Sequence, residues 1–283
     1  MTPTIAIVAA GEMGSAMARE LRQHGARVVT CLAGRSAATR ARAEAAGFEL
    51  VADDAALAEA ADIVLSVVPP SAAVGLAQRL APALAAAKTK PVYVDCNAVA
   101  PKTVLRVAEI VGGPFVDAAI FGGPTSGKPG TVLYVSGPHA AVVLPLGTLG
   151  FSVRPVDGPI GAASALKLSF AGINKGFTAL GAAMALTAVR TGSADAMLEQ
   201  LAETQPAILG YLARFVPAML PKAYRWEPEM YEIADFLDDQ PPLRDIYSAM
   251  GAIYHGVAAG GDDIEALKRF CRKAAERLQA RKA

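Results

Sequence analysis

The stretch IAIVAAGEMGSAMARELRQHGARVVTCL, residues 5–32, does most to narrow what this chain can fold into. An apolar, β-branched run leads into a glycine-bearing turn, an amphipathic helical segment and a second β-prone run. Two strands joined through a helix lie parallel, and a buried parallel sheet is covered by helices on both faces. The pattern then repeats. Runs at 48–51, 62–68 (DIVLSVV), 91–97 (PVYVDCN), 114–122 (PFVDAAIFG) and 131–137 (TVLYVSG) read as further strands. Helices are predicted at 13–24, 36–46, 54–60, 71–87, 101–111 and 138–149. From about residue 160 the strand signals stop. A long helical segment, 161–191, precedes helices near 194–203, 205–219, 228–238, 242–258 and 262–281, with breaks at Gly192, Pro221, Pro241-Pro242 and Gly260-Gly261. The expected class is α/β, with a doubly wound parallel sheet over 1–160 and an all-α domain over 161–283.

Composition closes off several function classes. Lysine and arginine number 27 against 26 acidic residues, and no basic block breaks the balance, so neither nucleic acid nor a membrane surface is expected as partner. Hydrophobic residues make up 53% and the mean hydropathy is +0.34. That is enough for a core and for a buried subunit interface. Cys31, Cys96 and Cys271 form no C-x-x-C pair and the histidines are isolated, so no metal site or disulfide framework is expected. The opening MTPTIAIVAAGEMG has no basic region ahead of its apolar run, so no secretory signal is read there. A membrane-like stretch, 170–189, contains Asn174 and Lys175, and its apolar remainder falls short of the roughly 20 residues a span needs. It is expected to be a buried core helix, and the protein to be cytoplasmic.

Between the first strand and helix the turn reads A9-A10-G11-E12-M13-G14, a G-x-G-x-x-G fingerprint with alanine at its first position. Gly11 lets the backbone approach a pyrophosphate, Gly14 lets the helix pack closely on the strand, and the helix N-terminus supplies N–H donors. A Rossmann-type dinucleotide site is therefore expected, with Glu12 and Met13 in its loop. NAD enzymes carry an acid about 20 residues further on, at the end of the second strand. Here CLAGRSAATRAR offers Arg35, Ser36 and Arg40 instead. Arginines and a hydroxyl suit a 2′-phosphate, so NADP(H) is expected ahead of NAD(H).

Five segments, in order from residue 5 to about 190, resemble the β-hydroxyacid dehydrogenases, the superfamily of 6-phosphogluconate dehydrogenase, 3-hydroxyisobutyrate dehydrogenase and the imine reductases. GEMGSAMARELRQHG fits the nucleotide loop G-x-x-G-x-x-M-A-x-x-L, and ADIVLSVVPPSAA resembles the strand and proline loop beside the cofactor, which implies contacts from Val68 and Pro69. VDCNAVAP resembles D-x-S-x-x-x-P near the nicotinamide, with Asn97 where a serine is common. VDAAIFGGPTSGKPGTVLYVSG resembles the substrate segment D-A-P-V-S-G-G-x-x-x-A-x-x-G-x-L, and GAASALKLSFAGINKG the catalytic-helix segment. The helical remainder looks most like a bacterial subgroup with a short C-terminal domain.

The resemblance implies that Lys167 is the general acid/base for the hydroxyl being oxidised. Physical chemistry supports that role independently: residues 167, 171 and 174 share one helix face, and a lysine buried beside a cofactor loses affinity for its proton. Two positions depart from the family pattern. Its asparagine four residues after the lysine is Ala171, and the serine of S-G-G is Phe121, while Gly122 and Gly123 remain to hold a carboxylate through their N–H groups. Asn174 replaces an acidic residue of 6-phosphogluconate dehydrogenase, which argues against sugar-acid decarboxylation by that route. Lys175 reads either as binding an anionic end of the substrate or as reaching solvent. Tyr231, Trp226, Tyr254 and His255 read either as pocket lining or as core. The glycine- and alanine-rich helix 161–191 implies close approach of two subunits, so a homodimer is expected. The expected activity is NADP(H)-dependent interconversion of a 3-hydroxy acid and its carbonyl form, with Lys167 moving the proton and Gly122, Gly123, Asn97, Asn174 and Lys175 around a small carboxylate substrate. The alternatives are an imine reductase, in which the lysine is typically absent, and a non-catalytic NADPH-binding protein.

Overall fold

The computed structural model describes residues 2–122 and 131–281. Among these, eight strands form one sheet in the order β3-β2-β1-β4-β5-β6-β7-β8. The strands are β1 (Thr4–Val8), β2 (Arg27–Cys31), β3 (Glu49–Val51), β4 (Ile63–Ser66), β5 (Val92–Asp95), β6 (Phe115–Phe121), β7 (Val132–Ser136) and β8 (Ser152–Pro155). Side-chain alternation divides each central strand between two layers. Ile5 and Ile7 of β1 pack on one face with Leu65 and Val94, while Ala6 and Val8 face the other with Val64 and Tyr93. Helices α1 (Glu12–Gln23) and α2 (Ala37–Ala45) contribute to the first layer. Helices α3 (Asp54–Ala60), α4 (Ala73–Ala86) and α5 (Pro101–Val111) contribute to the second.

The sheet is not wholly parallel, as the sequence pattern suggested. β7 runs antiparallel to β6. Only residues 122–131 separate them, too few for the dozen-residue crossover that parallel neighbours need. β8 escaped the sequence reading, because SVRP is a short edge strand without an apolar run and ends on proline. The helix expected at 138–149 is a 3-10 helix, Ala140–Leu149, which contains Pro145.

The chain forms two compact units, Met1–Leu168 and Ser169–Ala283. Helix α6 (Ala162–Arg190) begins in the first unit. The second unit consists of the rest of α6 with α7 (Ala194–Thr204), α8 (Pro206–Met219), α9 (Ala223–Phe236), α10 (Pro241–Ala259) and α11 (Asp262–Ala280). Within it α9 packs on α10 and α11 on α8. α9 starts five residues before the expected 228, so that Pro228 lies inside it.

The glycines of α6 serve this packing. A Cβ on Gly172 would meet the Tyr247 hydroxyl at 2.9 Å, one on Gly176 the Met250 sulfur at 3.2 Å, and one on Gly181 the Leu212 Cδ2 at 2.2 Å. The close approach read from sequence as an interface between subunits is therefore made by α8 and α10 of the same chain. Nor is α6 a wholly buried core helix. Phe170, Ile173, Phe177, Leu180 and Met184 are exposed, Ile173 to 71%.

Candidate active site

Gly11 caps α1 in an extended conformation, and no side chain caps that helix end. A Cβ built on Gly11 meets nothing within 4 Å. The first-turn N–H groups are thus left for an approaching anion, which is the arrangement a pyrophosphate needs. At Gly14 the same test gives the opposite answer, since a Cβ would lie 2.2 Å from the Ala9 carbonyl oxygen. One glycine opens the loop outward and the other lets the helix sit on the strand. Glu12 is exposed, and Met13 packs against the sheet layer.

Beyond β2 the chain turns at Gly34, in the left-handed region at φ +71°. Ser36 Oγ then accepts the Thr39 N–H at 3.3 Å and caps α2. Arg35 and Arg40 are both exposed around that cap. Sequence reasoning passed over Arg42, whose Nη1 donates to the Ala10 carbonyl at 3.3 Å and ties α2 to the glycine loop. With Glu12, Ser15 and Arg19 it lines a cavity of about 470 Å³. The only signal was a second arginine two positions after Arg40.

Across the ends of the central strands runs a row of polar residues. Ser66 pairs with Asp95, Asp95 with Asp117, and Asp117 with Ser136. All four are fully buried. Asp117 Oδ2 accepts from Ser136 Oγ, Gly161 N and Ser164 N at 3.0 Å each, and its Oδ1 accepts from Ser164 Oγ at 2.7 Å. Ser136 Oγ in turn accepts the Ala163 N–H at 3.0 Å. The start of α6 is therefore capped by the sheet, which fixes where the helix launches and hence where Lys167 stands.

Asp95 has less support. Its Oδ1 accepts the Asn97 N–H at 2.9 Å, and its Oδ2 has no partner among the described residues. Burial pushes its carboxyl up to about 6; the Asn97 hydrogen bonds oppose this, the neighbouring Asp117 charge adds to it, and Lys167 pulls it back. Lys167 is affected in the reverse sense. Burial lowers its ammonium pKa, while Cys96 and Asp95 raise it. Burial also pushes the Cys96 thiol up, out of the range of a reactive thiolate.

The structure places the other expected residues as follows. Asn97 is only 2% exposed; its Nδ2 donates to Ser66 Oγ at 2.8 Å and its Oδ1 accepts the Val68 N–H at 2.7 Å. It clamps β4 to β5 and holds the proline loop at Val68 and Pro69. Gly122 follows β6 at φ +109°, with open space where a Cβ would be. Gly123 lies outside the described residues. Phe121 stands edge-to-face with Tyr134, ring centroids 5.1 Å apart.

Asn174 and Lys175 belong to the helical unit. Asn174 Nδ2 donates to the Phe170 carbonyl one turn back at 2.9 Å. Lys175, expected either at a substrate anion or in solvent, instead pairs with Glu229 and lies over the Trp226 ring at 5.4 Å. Tyr254 is buried and donates to the Lys175 carbonyl at 2.5 Å, and His255 faces Glu227 at 3.2 Å. These aromatic residues hold helices together.

Comparison with known proteins agrees with this geometry. Residues 4–144 match the NAD binding domain of 6-phosphogluconate dehydrogenase. The conserved protein MTH1747, whose structure is described as similar to the 3-hydroxyacid dehydrogenases, is 26% identical, with a TM-score of 0.75 over 90% of this chain and 99% of its own. The chain belongs to the β-hydroxyacid dehydrogenase superfamily. Its residues 4–144 are the Rossmann unit with which that superfamily binds NAD(P). The 3-hydroxyisobutyrate dehydrogenase of Mycobacterium tuberculosis shares the fold at 17% identity, with a TM-score of 0.75 over 94% of this chain and 98% of its own. Residues 188–257 match a domain of unknown function, DUF1932. A 28.5 kDa protein of Methanothermus fervidus, described as uncharacterised, is 29% identical over 202 residues, 71% of this chain and 77% of its own length. No helix among the described residues is long and apolar enough to cross a membrane.

Proposed function

We propose that the protein interconverts a 3-hydroxy acid and its carbonyl form with NADP(H). The observation that carries this reading is Lys167, an amine desolvated on the helix that the sheet itself caps, with a buried carboxylate acting on its charge. A lysine whose proton is loosened by burial accepts a hydroxyl proton near neutral pH and returns it to a carbonyl oxygen in the other direction. The bound nicotinamide supplies or takes the hydride at the substrate carbon. The Gly122 N–H, on a backbone open to approach, is assigned to the substrate carboxylate. Arg35, Arg40 and the Ser36 hydroxyl are assigned to the 2′-phosphate, and the absence of an acid at the end of β2 supports NADP(H) over NAD(H). The free thiols of Cys31, Cys96 and Cys271 suit a reducing cytoplasm.

The same proposal includes a homodimer. Phe170, Ile173, Phe177, Leu180 and Met184 recur at alternating intervals of three and four, the seam spacing by which one helix packs on another. A second copy of α6 supplies a matching seam under twofold symmetry.

Absorbance at the nicotinamide band, with NADP⁺ and a panel of 3-hydroxy and sugar acids, tests the activity. Turnover of a 3-hydroxy acid is expected to fall about 10²- to 10⁴-fold in Lys167→Ala. Turnover unchanged by that substitution overturns the role of Lys167. Silence on the acids together with NADPH oxidation by cyclic imines points to imine reduction, and NADPH binding without any turnover to a non-catalytic protein.

A further inference from the structure

The glycine loop, residues 9–14, has one side-chain tether among the described residues. Arg42 Nη1 donates to the Ala10 carbonyl at 3.3 Å, and no other described side chain hydrogen-bonds the segment. Glu12 lines the same cavity as Arg42, yet no ion pair joins them among the described residues. The guanidinium goes to a backbone carbonyl instead. Its anchor is firm, because Arg42 stands in the last turn of α2, a helix capped by Ser36 and docked on the sheet through the buried Ala43.

The bond acts on more than the oxygen. The Ala10 carbonyl and the Gly11 N–H belong to one planar, trans peptide unit, so the two point in opposite directions. Holding the carbonyl toward α2 therefore aims the Gly11 N–H away from that helix. This N–H has no hydrogen-bond partner among the described residues, and Gly11 is the position where a Cβ would meet open space. A peptide free to rock would spread its N–H over many directions and would have to be ordered when an anion arrives, which weakens binding.

We propose that Arg42 is a positioning residue of the nucleotide site: by holding the Ala10 carbonyl it keeps the Gly11 N–H on the pyrophosphate, without touching the cofactor itself. The proposal rests on the reading above only for the identity of the ligand, NADP(H) or NAD(H). It separates Arg42 from Arg35 and Arg40, which are assigned to the 2′-phosphate. Those two act on one cofactor. The pyrophosphate is common to both, so Arg42 acts on NADPH and NADH alike.

Two substitutions test this. Arg42→Met keeps the aliphatic stem and removes the donor, while Arg42→Lys keeps a donor; the position is exposed, so neither change enters the core. NADPH and NADH binding are followed by fluorescence titration at about 0.1 M and about 1 M salt. In Arg42→Met both Kd values are expected to rise by the same factor, about two- to twelvefold from the net contribution of one hydrogen bond, at either salt concentration. Arg42→Lys is expected to recover part of that loss. In the cofactor-free protein the Gly11 amide signal, observed by ¹⁵N NMR, is expected to move in Arg42→Met and to return toward its parent position in Arg42→Lys. Unchanged Kd values overturn the proposal. So does a loss confined to NADPH, which assigns Arg42 to the 2′-phosphate, and a loss that disappears at about 1 M salt, which leaves it a screened surface charge. An unmoved Gly11 signal has the same consequence. If the parent protein binds neither nucleotide, the cofactor reading falls, and the Gly11 signal alone decides whether Arg42 orients that peptide.

Discussion

Replacing Gly14 with alanine drives a methyl group into backbone. The new Cβ lies 2.2 Å from the Ala9 carbonyl oxygen and 3.3 Å from Ile7 Cγ2, and the oxygen belongs to the loop itself, so no flexible side chain is there to yield. Either α1 lifts from β1 or the loop is displaced. Overpacking of this kind costs about 1–3 kcal/mol. For a domain of 150–250 residues that is roughly 2–12 °C in Tm. Gly11→Ala is the contrasting change, because its Cβ enters open space and its φ of −76° suits alanine. Its cost at a helix N-cap stays within about 1 kcal/mol. The methyl then occupies the face left open for the pyrophosphate, and an affinity loss of at least tenfold, about 1.4 kcal/mol, is expected. Urea denaturation and NADPH fluorescence titration on both variants separate the effects. The reasoning fails if Gly14→Ala melts with the parent protein, or if Gly11→Ala binds NADPH as tightly as the parent.

The Asp95 carboxyl is raised from 3.8 to about 6, so between those values the folded chain holds a proton that the unfolded chain releases. Its favourable contribution is complete below pH 4 and is lost as pH rises through 6, leaving a cost of up to roughly 3 kcal/mol at pH 8. Asp95→Asn is expected to exceed the parent in urea stability at pH 8 and to converge with it near pH 4; a constant difference contradicts this. Arg35→Ala is expected to raise the Kd for NADPH at least about tenfold through the lost phosphate pairing and to leave that for NADH unchanged. An equal loss for both cofactors places the arginine elsewhere. Ile173→Glu puts a charge in the seam of α6 and is expected to yield monomers by sedimentation velocity with unchanged far-UV circular dichroism. A dimer that persists removes the seam.

Much of the Rossmann unit was legible because its signals are local. Continuous apolar runs mark strands buried on both faces, and Gly11 and Gly14 announce a turn by what they lack. The antiparallel β7 was also within reach, since ten intervening residues cannot carry a crossover. β8 was not, because an exposed edge strand has no hydrophobic period to read.

The sequence by itself determined the order of strands and helices apart from β8, the glycine loop, and Lys167 as the residue to watch. Register and packing decided the rest. Ser66, Asp95, Asp117 and Ser136 are scattered over 71 positions and become one buried row only when β4 to β7 align. Lys175 and Glu229 likewise meet only through the packing of the helical unit. The glycines of α6 looked like an interface until α8 and α10 filled them, and the exposed apolar stripe emerged once that filling settled which face of the helix was covered. Sequence patterns report what a residue requires of its near neighbours along the chain. Which distant residue supplies it depends on strand pairing and helix packing, and those exist only in the folded molecule.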